Sequence, residues 1–189
     1  MNILKMMLIT FLGLGFALSS PPVQKRPINS LHTRELPFGP VLEQYQSLIA
    51  PIEDCRVQLL PGTLELHVVI KKLLNLEIFL NAVIGGVGPR CDPAPSLIEL
   101  HIFKDTVVLL FVRFQAIIAV LKAHYSPVFL NATLEIFARI RGHLQSALTL
   151  AVNLGINLED VLASLNANVF LHAHIDLLHL VKIDLPAKA

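Results

Sequence analysis

The sequence predicts an all-α fold: an up-and-down bundle of about five helices, stapled by one disulfide. Three observations lead there. Apolar residues recur at three- and four-residue steps, the period of one helix face, through most of the chain. Proline and glycine signals interrupt that period at short intervals, where helices stop and restart. The connections so marked are two to twelve residues long, which forces consecutive helices to run antiparallel.

The chain has 189 residues, enough for one domain with a full core. Hydrophobic residues make up 54% and charged residues only 15%, against a usual quarter. The mean hydropathy is +0.65. A net charge of +1 with no Lys/Arg cluster gives no electrostatic case for nucleic acid. Met1 to Lys5 reads as a short basic n-region, and Met6 to Leu18 as the apolar h-region of a signal peptide. Ala17 and Ser19 have the small-residue spacing for cleavage, so residues 1–19 are assigned as a signal peptide and the mature protein as secreted, extracellular or in a cell wall. The h-region is shorter than the roughly 20 residues of a membrane span. Residues 20–40 hold Pro21, Pro22, Pro27, Pro37 and Pro40 and read as an extended leader. Lys25-Arg26 within it is a dibasic processing candidate, opposed by the following Pro27. The helical domain is expected over 41–183 and a tail over 184–189, which lacks the hydrophobic run of a glycolipid-anchor signal.

Cys55 and Cys91 fit an oxidising compartment. Their pairing would close a loop of about 35 residues, worth roughly 4 kcal/mol in the chain-entropy model. Neither has a partner at metal-ligand spacing, so no metal and no cofactor is expected. Asn131-Ala132-Thr133 is an N-glycosylation sequon.

The first helix is expected from Val41 to Leu60, with Leu42, Tyr45, Ile49, Ile52 and Leu59 on one face. Pro51 inside it should kink or split it, and Pro61-Gly62 should end it. The second is expected from Leu64 to Ile84, with Thr63 as candidate N-cap and Gly85-Gly86 as its stop. The third opens on Ser96 and Glu99, the Ser-x-x-Glu spacing of a capping box, and continues to about Tyr125. From Thr106 to Leu121 only Arg113 and Gln115 interrupt its apolar run, so it should lie at the centre of the bundle. Arg113 and the shortness of that run make a membrane span the weaker reading, and no stable span is expected in the mature chain.

The fourth helix opens on Ser126-Pro127 and closes at Gly155. Asn131, Glu135, Arg139, Gly142, Ser146 and Asn153 form its polar stripe, opposite Ile136, Ile140, Leu144, Ala147, Ala151 and Leu154. A glycan on Asn131 would therefore project outward. The fifth is expected as one helix from Asn157 to about Ile183, with Ser164, Asn168, His172, Asp176 and His179 as a polar stripe.

No catalytic pattern emerges. There is no nucleophile elbow, phosphate loop or zincin motif, and Gly85-Gly86-Val87-Gly88 is more simply a helix stop. His172, Asp176 and His179 would share a helix face, yet the pattern is loose and reads better as a solvated stripe than as a metal or acid–base cluster. The chain is accordingly read as a non-enzyme. Its distinctive feature is surplus apolar surface on the second and third helices, which must cover a cavity, a partner or a lipid surface. Phe79, Phe103, Phe111, Phe114, Phe129 and Phe137 are the candidate lining residues; a densely filled core is the competing use for them.

Val41-Leu42-Glu43-Gln44-Tyr45 opening the first helix and Leu158-Glu159-Asp160-Val161-Leu162 opening the last carry a resemblance. Together with the order and length of the helices over Val41 to Leu178, they resemble the fungal hydrophobic-surface-binding protein and cell-wall galactomannoprotein family. That resemblance implies a secreted bundle that adheres to hydrophobic surfaces or holds a fatty acid between its helices. The likeness to plant invertase and pectinesterase inhibitors is weaker, since those normally carry four cysteines. The expected partner is thus a fatty acid or other apolar ligand, or a hydrophobic surface. The alternatives are a secreted protein-interaction module, an effector or inhibitor with an exposed apolar patch, and a helical protein whose third helix enters a bilayer.

Overall fold

Every described residue that forms regular structure is helical. The computed structural model describes residues 37–87, 94–125 and 127–182, without the side chains of 127–130, 178, 181 and 182. The expected signal peptide, most of the leader, Cys91, Ser126 and the C-terminal tail lie outside the described residues. The helices are α1 (Phe38–Ser47), α2 (Ile49–Leu59), α3 (Leu66–Ile84), α4 (Leu97–His124), α5 (Pro127–Asn153), α6 (Leu158–Leu162), α7 (Ala167–Leu171) and α8 (Leu177–Lys182).

The long elements follow from their caps and apolar faces. Ser96 Oγ accepts from the Glu99 N–H, while the Glu99 carboxylate accepts from the Ser96 N–H at 2.8 Å, the reciprocal box anticipated for α4. Inside α4, Phe103, Val107, Leu110, Phe114, Ile117 and Leu121 alternate four- and three-residue steps, and each is fully buried. Around this seam pack α2, α5, α1, α6 and α7. The Phe103 ring meets Phe38 and Tyr45 edge-on, at centroid separations of 5.5 and 5.0 Å, and so fixes α1 against α4. At the end of α5, the Ile156 N–H donates to Ala151 O and the Gly155 N–H to Val152 O, with Gly155 at φ +80°. This is a Schellman stop at the expected glycine.

Three elements differ from the expected ones. The first helix divides at Leu48 into α1 and α2. Pro51 has no N–H for the Ser47 carbonyl, so the ladder cannot pass that point and α2 restarts with Pro51 in its first turn. The single long helix expected from Asn157 is three short ones. Asn157, Asn166 and Asp176 side chains each accept a new N–H, from Glu159, Asn168 and His179 at 3.0, 3.1 and 3.2 Å, and each such bond opens a separate helix. A second Schellman stop ends α7: the Ile175 N–H donates to Phe170 O and the His174 N–H to Leu171 O. His174 stands at φ +56° in the position that Gly155 fills at the end of α5. Phe170, Ala173, Ile175 and Leu177 are buried and tie this irregular stretch to the core. The α3 start also differs: Glu65, not Thr63, is the capping position, and it makes no side-chain cap bond.

No disulfide is found among the described residues, so the expected Cys55–Cys91 staple is unsupported, Cys91 lying outside them. Cys55 is a free, buried thiol. A polar contact also links α2 to α4 beside their apolar interface. The Glu53 carboxylate accepts from Arg56 Nε and Nη2, at 2.9 and 2.5 Å, and from the Arg113 guanidinium of α4. Arg113, an interruption in the apolar sequence, is therefore the α4 half of a cross-helix ion pair. Nine residues beyond Glu53, Gly62 turns the chain at φ +66° directly beneath the His124 ring. These two contacts make α2 and α4 run in the same direction.

Two outcomes test this description. A non-glycine residue in the left-handed region is strained by about 1 kcal/mol or more, so His174→Gly should raise stability by several tenths to about 1 kcal/mol in denaturant titration. The hydrogen bonds from Arg56, with those from Arg113 and the positive charge of both, hold the Glu53 carboxyl down at about 2 from its ordinary 4.5. Because the folded value is the lower one, its stabilisation is complete above pH 4.5 and is lost as pH falls toward 2. Glu53→Gln should therefore be less stable than the native chain near neutrality, and the gap should close across that window in pH-dependent unfolding.

Candidate apolar face and clefts

The core absorbs most of the expected lining residues. Phe103, Phe111, Phe114 and Phe137 are 0 to 1% exposed, and Phe111 packs on Phe170 at 6.2 Å between ring centroids. None of these four lines either of the two clefts described below. The side chain of Phe129 lies outside the described residues. Phe79 lines a cleft.

That cleft, of about 350 Å³, lies between α2 and α3. Pro51, Cys55, Leu76 and Phe79 give it an apolar floor, and Asp54, Gln58, Lys72 and Asn75 a polar rim. The Lys72 ammonium donates to Gln58 Oε1 across it at 2.5 Å. Burial pushes the Cys55 thiol up to about 11, with a small opposing pull from Lys72, so the sulfur stays neutral and unreactive near pH 7.

A second cleft, of about 360 Å³, opens where α1, the end of α3 and the middle of α5 meet. Among the described residues Tyr45, Ile84, Val87, Gly142, Gln145, Ser146, Thr149 and Leu150 line it. Both clefts are open to solvent and fall near the lower limit of ordinary small-molecule sites, about 300 Å³.

Apolar side chains that the core does not take reach the surface. Leu97 is 85% exposed and Ile98 74%, at the start of α4. Ile102 and Leu109 continue the exposure along the same side of the helix, four and eleven residues after Ile98. Val112, Ala116 and Val120 are half-buried there, and Ala119 and Ala123 exposed. Only the His101–Asp105 pair, 3.9 Å apart, adds charge beside the line from Ile98 to Leu109. By length and composition α4 could cross a membrane, a test that the central helix of a soluble bundle also passes. Val57, Leu60, Leu66, Ile78 and Leu171 are further exposed apolar residues.

The polar residues settle into structural work. The sequence places His172, Asp176 and His179 on one face; the structure disperses them. His172 meets the Lys122 ammonium from α4 at 2.5 Å, with its Nε2 as the only available acceptor, and Asp176 caps α8. Among the described residues no group of three or more His, Cys, Asp or Glu could hold a metal. The buried Glu77 of α3 faces Arg139 at 3.5 Å and His143 at 3.4 Å, both on α5, so the α3–α5 contact carries its own compensated charge. Asn131 is exposed and Thr133 fully buried.

Sequence reasoning passed over Gly142, which it counted as one member of a polar stripe. A Cβ placed there would meet nothing within 4 Å. No packing reason thus excludes a side chain, and glycine costs a helix interior roughly 1 kcal/mol relative to alanine. The signal was a glycine in mid-helix, away from any stop.

No protein-family model, curated protein or solved structure matches the chain.

The glycine makes a direct expectation. Gly142→Ala should raise stability by about 0.5–1 kcal/mol, read as a higher denaturation midpoint. An unchanged or lower midpoint would mean that the open space beside Gly142 is not available in solution.

Proposed function

We propose that this is a secreted helical protein that binds lipid or a hydrophobic surface, using the outward side of α4 as its adhesive face. The supporting observation is the exposure of Leu97 and Ile98, continued by Ile102 and Leu109, on a helix whose opposite side is already committed to the core. Water is excluded from such a face only when something apolar covers it, and each large side chain fully covered is worth about 1.5–3 kcal/mol.

This reading places the apolar partner on the outside. The phenylalanines that would have lined an internal chamber are spent on interhelical packing, so α4 offers a surface and not a tunnel. The α2–α3 cleft is a secondary place for a fatty acid, with Phe79 and Leu76 beneath the chain and Lys72 for its carboxylate. Recognition by an apolar face needs no catalytic group, and the polar clusters of the described residues have structural partners. The fungal hydrophobic-surface-binding resemblance points to the same activity and to a cell-wall setting. An exposed apolar face also suits a protein partner. The two readings separate by whether a bare apolar surface suffices.

Adsorption of the mature chain to polystyrene particles and to phosphatidylcholine vesicles tests it. The double variant Leu97→Ser/Ile98→Ser should adsorb at least about tenfold more weakly, since it removes two side chains of that worth. Its unfolding midpoint should stay near the native one, because both residues are exposed in the folded state. Undiminished adsorption would overturn the assignment of the face. Absence of adsorption by the native chain would favour a protein partner instead.

A further inference from the structure

We propose that a second copy of this chain covers the outward side of α4, in an antiparallel α4–α4 contact about a two-fold axis. The inference rests on the reading of that side as the adhesive face and adds its regulation. Each copy masks the other until a larger apolar surface displaces it.

The outward side of α4 carries a heptad seam of its own. Ile98, Ile102, Asp105 and Leu109 follow at alternating four- and three-residue steps, and Val112, Ala116, Ala119 and Ala123 continue them. At 3.6 residues per turn these positions fall within an arc of about 100°. That arc lies opposite the buried seam from Phe103 to Leu121. Val112 and Ala116 are half-buried, and the other six are exposed. Packing against the core accounts for the first seam. A facing helix accounts for the second.

The order of side-chain sizes selects the same helix, run the other way. The first half of the seam is large, with Ile98, Ile102 and Leu109, and the second half ends in three alanines. An antiparallel pair sets Ile98 against Ala123 of the second copy, Ile102 against Ala119, Asp105 against Ala116 and Leu109 against Val112. Large then meets small along the pair, and the helices keep an even separation. One two-fold axis between residues 110 and 111 generates every pair twice, as an isologous contact requires. A parallel pair in register would leave gaps between alanines and bring the two Asp105 carboxylates face to face. In the antiparallel pair those carboxylates stand about 16 Å apart along the axis, beyond the reach of unscreened repulsion. A single polar residue in such a seam fixes orientation and register at some cost in stability. The walls agree with this arrangement. α2 approaches one flank of the seam at Arg113, and α7 the other at Gln115 and Lys122. The alanine half thus floors a trough that the isoleucine half of a second copy can fill.

The area available sets the strength. From Ile98 to Ala123 the seam is about 38 Å long, and a helix about 10 Å across covers roughly 400 Å² of it. Each partner in a stable complex contributes about twice that. The contact is therefore reversible and depends on concentration, as masking requires. An extended apolar surface offers more area than the second copy does and takes its place.

Sedimentation equilibrium of the full mature chain tests the contact, over about 1 to about 200 µM, the range that a patch of this size reaches. A reversible monomer–dimer equilibrium should appear. Ala119→Glu should weaken it at least about tenfold, by placing a charge against Ile102 of the second copy. Asp105→Leu should strengthen it at least about tenfold, by replacing a charge with apolar surface. Both positions are exposed, so the unfolding midpoints of the dilute variants should stay near the native one. Positions 98 and 123 lie about 38 Å apart in one chain, too far to be bridged. Mild oxidation of Ile98→Cys/Ala123→Cys should therefore join position 98 of one copy to position 123 of another. The cross-linked dimer should adsorb to polystyrene at least about tenfold more weakly than its reduced form. Sedimentation and cross-linking need no surface, so the two readings fail separately. A dimer in a chain that never adsorbs would overturn the adhesive reading and leave the contact standing. A chain that adsorbs but stays monomeric at every concentration would overturn the contact alone. Joining of position 98 to position 98, association unmoved by Ala119→Glu and Asp105→Leu, or undiminished adsorption of the cross-linked dimer would each overturn the proposal as well.

Discussion

Burial of one side of α4 is the constraint from which the rest of the bundle follows. Its heptad-spaced seam of Phe103, Val107, Leu110, Phe114, Ile117 and Leu121 cannot be hidden by a single neighbour, so five other helices gather around it. Each neighbour adds its own apolar stripe: Val41 and Tyr45 from α1, Ile52 and Leu59 from α2, Ile140, Leu144 and Ala147 from α5, and Val161 and Phe170 from α6 and α7. Polar contacts then set the positions. The Glu53–Arg113 pair aligns α2 along α4, and Gln115 receives the Asn166 N–H at 2.6 Å, bringing the start of α7 alongside. The apolar seam supplies the drive, and these directional contacts determine where each neighbour sits.

Features encoded within a few residues of one another were legible in the sequence. The Ser96–Glu99 box, the restart at Pro51 and the stop at Gly155 depend only on local backbone chemistry. The polar and apolar stripes of α5 were equally readable, with Ile136, Ile140, Leu144, Ala147 and Ala151 all buried. The segment after Asn157 was not. Ser164, Asn168, His172, Asp176 and His179 recur at helical spacing, but Asn166 and Asp176 spend their side chains on caps, and a cap competes with a continuous helix for the same N–H groups. Periodicity alone does not say which competitor wins.

The candidate site was legible only as an amount. Composition announced more apolar surface than an ordinary bundle displays, without saying where it would go. Phenylalanine was the natural guess for a lining residue, yet a large ring gains most where it is surrounded on every side, and the core took Phe103, Phe111, Phe114 and Phe137. Aliphatic residues at the start and along the outer side of α4 carry the excess instead. The cleft between α1, α3 and α5 had a fainter mark still: a single glycine within a stripe of polar residues, whose neighbours from α1 and α3 lie far away in the chain.

The sequon on α5 joins two residues with opposite environments. Asn131 faces solvent, while Thr133, whose hydroxyl makes the triplet an acceptor, is sealed inside the fold. Any enzyme that must grip all three positions can do so only on a chain whose α5 has not yet docked. A sugar on Asn131 would therefore be a timestamp. Its occupancy would record how long the newly made chain lingers before the bundle closes, and faster closure would leave more molecules bare.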